Sequence, residues 1–338
     1  MKIILVGDDF SQEECVQDIE QKRPAIIVSS AILIIITIIF LAKFIHFTAK
    51  IWTLAWRNDK VFPLMLISLC ASLVSVLAFW VYTIFEVSYP VWSCDGNTMA
   101  MCSGSFVRIL PSMFLAIGVI LNLNKWVYFM LRIWAFIRVG FGEKKETAQR
   151  RQMDRTDDSI IDTASEKSEN SAQMDLYERE NSKMQKQTRI VNIISVVCIV
   201  SITSLDIWAG LTGCVSTLED AFAAEDLVTI VAFYILATLF LTCGLISNCL
   251  LKKHFPHFYT KFKCVLWLAC FSLALPLLLR AIIDNLLYAS KGVNTWYQEK
   301  FVIANTTFLI LTTYIPIASS LFSLVFGFLR KRQDAMLI

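Results

Sequence analysis

Apolar residues along this chain gather into runs of about 20, the length that crosses roughly 30 Å of hydrocarbon as a helix. Seven runs predict seven membrane helices, at 25–47, 61–85, 104–138, 189–212, 227–250, 264–289 and 301–329. The first is the cleanest: AIIVSSAILIIITIIFLAKFI follows Pro24, a residue suited to a first helical turn. The third has the least definite ends, because its apolar pattern runs on past one bilayer thickness. No internal repeat is visible, so the pattern lends no support to an inverted-repeat transporter. The predicted fold class is all-α: a polytopic membrane protein built as a seven-transmembrane helix bundle.

The polar positions between the runs predict its orientation. Lys50, Arg57 and Lys60 lie in the 48–60 connection, with Lys43 close by. Lys252, Lys253, Lys261 and Lys263 lie in 251–263, and Arg330, Lys331 and Arg332 in the tail. The 86–103 and 213–226 connections contain neither lysine nor arginine, only Glu86, Asp95, Glu219, Asp220, Glu225 and Asp226. Lysine and arginine favour the cytoplasmic side, so the N-terminus is expected outside and the C-terminus in the cytosol, with Lys291 and Lys300 as exceptions. The opening residues lack the long apolar region of a signal peptide, so the first span is expected to act as its own insertion signal. The division that follows is a short outer segment (1–24), helices one to three (25–138), a long cytosolic loop (139–188), helices four to seven (189–329) and a short tail (330–338). The long loop is charge-balanced and poor in apolar residues. Its middle is expected to be disordered, between an extension of helix three and a helical 172–188. Ser159, Thr163, Ser165, Ser168 and Ser171 stand among acids there, either as phosphorylation sites or as incidental residues of a solvated loop.

Composition agrees with a membrane protein. Of 338 residues, 56% are hydrophobic and 17% charged, against about a quarter charged in ordinary soluble domains. A net charge of +3 is too small to suggest nucleic acid as a partner. The chain also lacks a nucleophile elbow, phosphate loop, metal-protease motif or metal-binding cysteine spacing, so neither an enzyme, a cofactor nor a metal is expected. His254 and His257 flank Pro256 with no carboxylate near, in a basic-aromatic segment that reads as an interfacial anchor.

Candidate chemistry therefore rests on polar groups inside the spans, where ionisable side chains are costly unless paired or hydrated. Arg108, Asp206, Arg280 and Asp284 fall towards the outer half, with Asn285 and Asn305 near them. Arg280 and Asp284 are four residues apart on one helical face and can neutralise each other. Together the six residues predict an outward-opening pocket for a polar or charged ligand. The competing reading is a structural ion pair among helix-end residues. A second group, Asn122, Asn124, Lys125 and Trp126, falls near the inner end of helix three. It reads as an anchor, with the lysine stem in lipid and its ammonium at phosphate, or as a cytosolic coupling element.

Of ten cysteines, Cys15, Cys94, Cys102 and Cys214 fall on the oxidising side of this topology. Cys102–Cys214 would tie the start of helix three to the following outer loop; Cys94–Cys102 is the rival pairing, and non-reducing peptide mapping separates them. Seven spans, an outer N-terminus and such a cysteine pair resemble the layout of G-protein-coupled receptors over nearly the whole chain. The motifs depart from that family. Asn124-Lys125-Trp126 stands near the place of its acidic-Arg-aromatic triplet, and CFSLALP carries Pro276 without the usual Cys-Trp spacing. YIPIASSLF carries Pro316 without the flanking Asn and Tyr, and the long loop follows helix three, not helix five. In length and span count the chain is also similar to the tobamovirus multiplication protein group.

The expected function is a membrane receptor or sensor, in the plasma membrane or an endomembrane, that couples the outer pocket to a cytosolic signalling or scaffold protein. The ligand is unspecified, and the lipid bilayer is the other partner. The alternatives are a non-receptor scaffold or trafficking protein that recruits partners through its cytosolic loop, and a channel or transporter. Reconstituted flux separates the last from the others.

Overall fold

A computed structural model describes residues 12–58, 61–90, 98–153, 162–215, 218–290, 292–293, 296 and 301–320; side chains at 53–58, 139–178 and 213–226 are among those outside the description. The described residues are almost entirely helical: α1 (Gln12–Asn58), α2 (Val61–Ser88), α3 (Thr98–Met153), α4 (Asp162–Val215), α5 (Leu218–His254) and α6 (Pro256–Ala289). Then comes α7, made of Phe301–Leu309, a π turn at Ile310–Tyr314, and helical residues 315–320. The fold is all-α. Among the described residues six helices are long and apolar enough to cross a membrane, in segments Ile19–Lys50, Val61–Ser88, Cys102–Ala135, Ser182–Thr212, Leu227–His254 and Lys263–Leu287. Thr306–Ser320 is a shorter apolar helix, and residues 321–329 of the expected seventh span lie outside the described residues.

Unlike a water-soluble bundle, the described helices are apolar outside as well as inside. Large apolar side chains face outward, among them Ile35, Ile39, Val196, Val200, Trp208 and Ile235, while Ser30, Thr37, Ser72, Thr83, Asn122, Asp206 and Arg280 are buried. In water such surfaces would drive association; against hydrocarbon they are at home, and polar groups turn inward to find partners. Helix α4 is the extreme case, with only 6% of its most apolar window buried. Its inward positions are polar or small: Ser195, Asp206, Ala209 and Gly210. On α1, Ile26, Ser30, Leu33, Thr37 and Phe44 recur at helical spacing and form its buried stripe.

Helices α1 to α6 extend beyond the spans expected from the sequence. Helix α1 begins at Gln12 and runs through Pro24, which therefore lies inside the helix and not in its first turn. QEECVQDIEQKR before it consists largely of good helix formers, and the proline removes a single donor. Within the connection expected to be disordered at its middle, α3 continues to Met153 and α4 starts at Asp162, leaving 154–161 outside the described residues. Neither glycine nor proline occurs in 144–153 or 162–209, so no such residue opposes these helices. Helix α2 reaches Ser88, which makes Glu86 a helical residue where the sequence reading had a loop.

The chain packs as two units. The first comprises residues 1–122, 198–241 and 268–338 and holds the larger core. Helix α1 lies on α2, and on α7 through Thr37, whose hydroxyl meets that of Tyr314, and through Phe40, edge-on to the Tyr314 ring at 5.6 Å. Helix α2 is joined to α3 by Ser68 and Ser72, which donate to the Phe114 and Pro111 carbonyls at 2.8 and 3.0 Å. Close approach of these helices rests on Gly118: a Cβ there would stand 2.6 Å from Leu69 Cδ2. The second unit comprises 123–197 and 242–267.

Candidate functional site

Within the first unit, ionisable side chains gather near the end of the bundle where α2 stops and α3 starts. Glu86 is in the last turn of α2, and Arg108 lies in the second turn of its membrane-length segment. Arg108 Nη2 donates to Glu86 Oε1 at 3.4 Å, with both side chains 8% exposed. The helices approach closely here. Tyr82 and Ser103 hydroxyls are 3.3 Å apart, and a Cβ on Gly104 would stand 3.2 Å from the Tyr82 hydroxyl.

One turn along α3 from Arg108 is Ser112, and it meets the second arginine. Arg280 of α6 donates from Nη2 to Ser112 Oγ at 2.5 Å and from Nη1 to Thr313 Oγ1 of α7 at 3.5 Å. Its Nε stands 3.6 Å from Asp284 Oδ2, across one turn of its own helix. The rings of Phe233 on α5 and Phe308 on α7 lie 4.9 and 5.4 Å from the guanidinium carbon, within cation–π reach. One buried cation thus touches groups on four helices. A guanidinium suits this position because its five donors are held in a fixed planar fork.

The π turn explains how Thr313 arrives. Pro316 has no N–H to offer the Thr312 carbonyl, and the chain widens to place the Ile315 N–H on the Ile310 carbonyl. The turn presents Thr313 to Arg280 and Tyr314 to α1. Asp206 is 6% exposed on α4, one turn before Gly210, whose Cβ would stand 2.9 Å from the Phe106 ring. Since α3 and α4 run antiparallel, that register sets Asp206 about one turn beyond Phe106 along α3, near the level of Ser112.

Of the six residues predicted to form the pocket, Arg280 and Asp284 form the expected pair, Arg108 joins Glu86, and Asp206 is buried. Asn285 is exposed, and the Asn305 side chain lies outside the described residues. Sequence reasoning passed over Glu86, Ser112 and Thr313. Glu86 left a signal, since the apolar register resumes at Val87, which is buried. Thr313 left another, a Thr-Thr pair just before a proline that frees a carbonyl.

The polar residues of mid-α3 prove to be interhelical fasteners. In the first unit, Asn122 donates to Ser320 Oγ of α7 at 3.2 Å. In the second, Asn124 Nδ2 meets Asn192 Oδ1 at 3.0 Å and Ser195 Oγ at 2.9 Å, both on α4. Both asparagines are buried, and Lys125 and Trp126 are half-buried. Such membrane hydrogen bonds contribute about 0.6 to 2 kcal/mol each.

Cys70, Cys198, Cys243, Cys249, Cys264 and Cys270 are free, and Cys102 is not among them. The side chains of Cys94 and Cys214 lie outside the described residues, so neither expected pairing of Cys102 falls within them. Among the described residues no group of His, Cys, Asp and Glu is arranged to hold a metal. No family model, curated protein or solved structure matches the chain.

Proposed function

We propose that the protein is a seven-helix membrane receptor or sensor, N-terminus outside, whose Arg280 cluster is the floor of an outward-facing pocket for a polar or charged ligand. The observation that carries this reading is the buried guanidinium of Arg280, joined to α3, α5, α6 and α7 at once. Buried intramembrane charge marks function more often than stability, because a well-packed apolar core at the same place costs less. A ligand that competes for the partners of Arg280 binds one helix arrangement more tightly and shifts the population towards it. Pro276, one turn before Arg280, and the π turn opposite it are the points where α6 and α7 can bend. The layout resemblance to G-protein-coupled receptors belongs to this proposal, with Asn122, Asn124, Lys125 and Trp126 on the path towards cytosolic partners.

A second reading, a scaffold that recruits partners through its cytosolic segment, is favoured by one observation. Helices α3 and α4 continue well past their membrane-length segments, to Met153 and from Asp162. Proximity labelling of cytosolic proteins around the full chain separates the two at matched membrane abundance. The receptor reading expects R280L/D284L to change the labelled set. An unchanged set in that variant, lost only when 144–178 are deleted, rejects the receptor and supports the scaffold.

A further inference from the structure

The second unit carries a basic recess at one edge of its membrane-length segments. Leu131, Trp134, Ala135 and Arg138 of α3 face Met184 and Gln187 of α4 around a cavity of about 230 Å³. One segment ends at Ala135 and the other begins at Ser182, so the recess straddles the level where hydrocarbon gives way to headgroups. Its walls divide accordingly. Leu131, Ala135 and Met184 are apolar and half-buried, while Arg138 and Gln187 are exposed and polar. The Arg138 guanidinium lies 5.4 Å from the Trp134 ring centre, and Arg132 stands 4.9 Å from that of Tyr128. The aromatic rings sit where interfacial belts form, and the stacked guanidinium is held towards the phosphate level.

The charged residues of the two described stretches that carry the recess are all basic. Residues 123–138 hold Lys125, Arg132 and Arg138 and no acid, and residues 182–197 hold Lys183, Lys186 and Arg189 and no acid. Lys183 and Lys186 are exposed beside the lining residues Met184 and Gln187. The nearest acid in sequence, Glu180, has its side chain outside the described residues. Basic pockets between membrane helices, at headgroup depth, are the sites that acidic phospholipids occupy.

We infer that this recess is a binding site for the phosphate headgroup of an anionic phospholipid. Arg138 grips the phosphate as a planar fork and Gln187 donates beside it. Lys183 and Lys186 supply the surrounding positive field, and the glycerol and first acyl carbons lie on Leu131 and Met184. The site is independent of the Arg280 cluster, so it stands or falls apart from the receptor reading.

The test uses the purified full chain in detergent, titrated with short-chain phosphatidylinositol bisphosphate, short-chain phosphatidylcholine and soluble inositol trisphosphate. Saturable binding of the anionic lipid is expected, weakening as salt rises, with little binding of phosphatidylcholine. R138Q/K183Q removes two charges and should weaken the anionic lipid roughly thirtyfold, whereas R138K, which keeps the charge but loses the fork, should weaken it by less. All of these side chains are exposed, so the variants should fold, and unchanged elution and thermal midpoint verify it. Equal affinity for wild type and R138Q/K183Q overturns the proposal, as does equal binding of phosphatidylcholine. Inositol trisphosphate binding as tightly as the lipid overturns it in favour of a soluble phosphate ligand.

Discussion

Replacing Arg280 alone with leucine should destabilise the protein by about 3–5 kcal/mol, the usual cost of breaking a buried ion pair from one side. The variant removes the charge that faces Asp284 and the donors from which Ser112 and Thr313 accept. Removing the acid as well should return the loss, because an apolar pair of similar volume is commonly neutral or stabilising at such positions. R280L is therefore expected to give little monodisperse protein and a much lower thermal midpoint in detergent, with R280L/D284L near wild type. The strong non-additivity follows from direct contact between the two side chains. If R280L/D284L is as unstable as R280L, Asp284 is not the group that Arg280 neutralises, and the cluster is organised around another acid.

The second large effect is steric. Gly118 lies where α3 comes closest to α2, and a methyl group there would stand 2.6 Å from Leu69 Cδ2 and 3.0 Å from its Cγ. Leu69 is fully buried and has no room to swing aside. G118A should cost about 1–3 kcal/mol through overpacking, and G118V more. Paired with L69A, which opens space at the same point, G118A should cost far less than the sum of the two single changes. Thermal midpoints of the four proteins measure this directly. Simple additivity would show that the α2–α3 contact at Gly118 does not exist in the membrane-embedded protein.

The six long helices were legible because hydrocarbon imposes a single length on apolar runs, and each of the first six predicted spans overlaps one of the observed segments. Their ends were not legible. Residues 12–24 and 162–171 lack the apolar period that marks a core face, yet they contain nothing that stops a helix beyond the tolerated Pro24. The Arg280–Asp284 pair could be read because both residues share one helix, where spacing fixes the face. The Arg108–Glu86 pair could not, since its partners stand on different helices and no periodicity links them. Asn122 and Asn124 show the same limit at short range. Residues two apart on a helix point roughly 200° away from each other, which sends one to α7 and the other to α4. The sequence announced that polar groups were present there; which helix each would meet depended on packing.

The claim that the Arg280 cluster opens outward is tested most directly by S112C, since Ser112 is half-buried and its oxygen accepts the hydrogen bond from Arg280. The full chain, with its other free cysteines changed to serine, is placed in sealed vesicles of known orientation and treated with a membrane-impermeant thiol reagent from either side. Modification only from the side that carries the 213–226 connection is expected. Modification only from the side of the 251–263 connection, or from neither side, would contradict the claim.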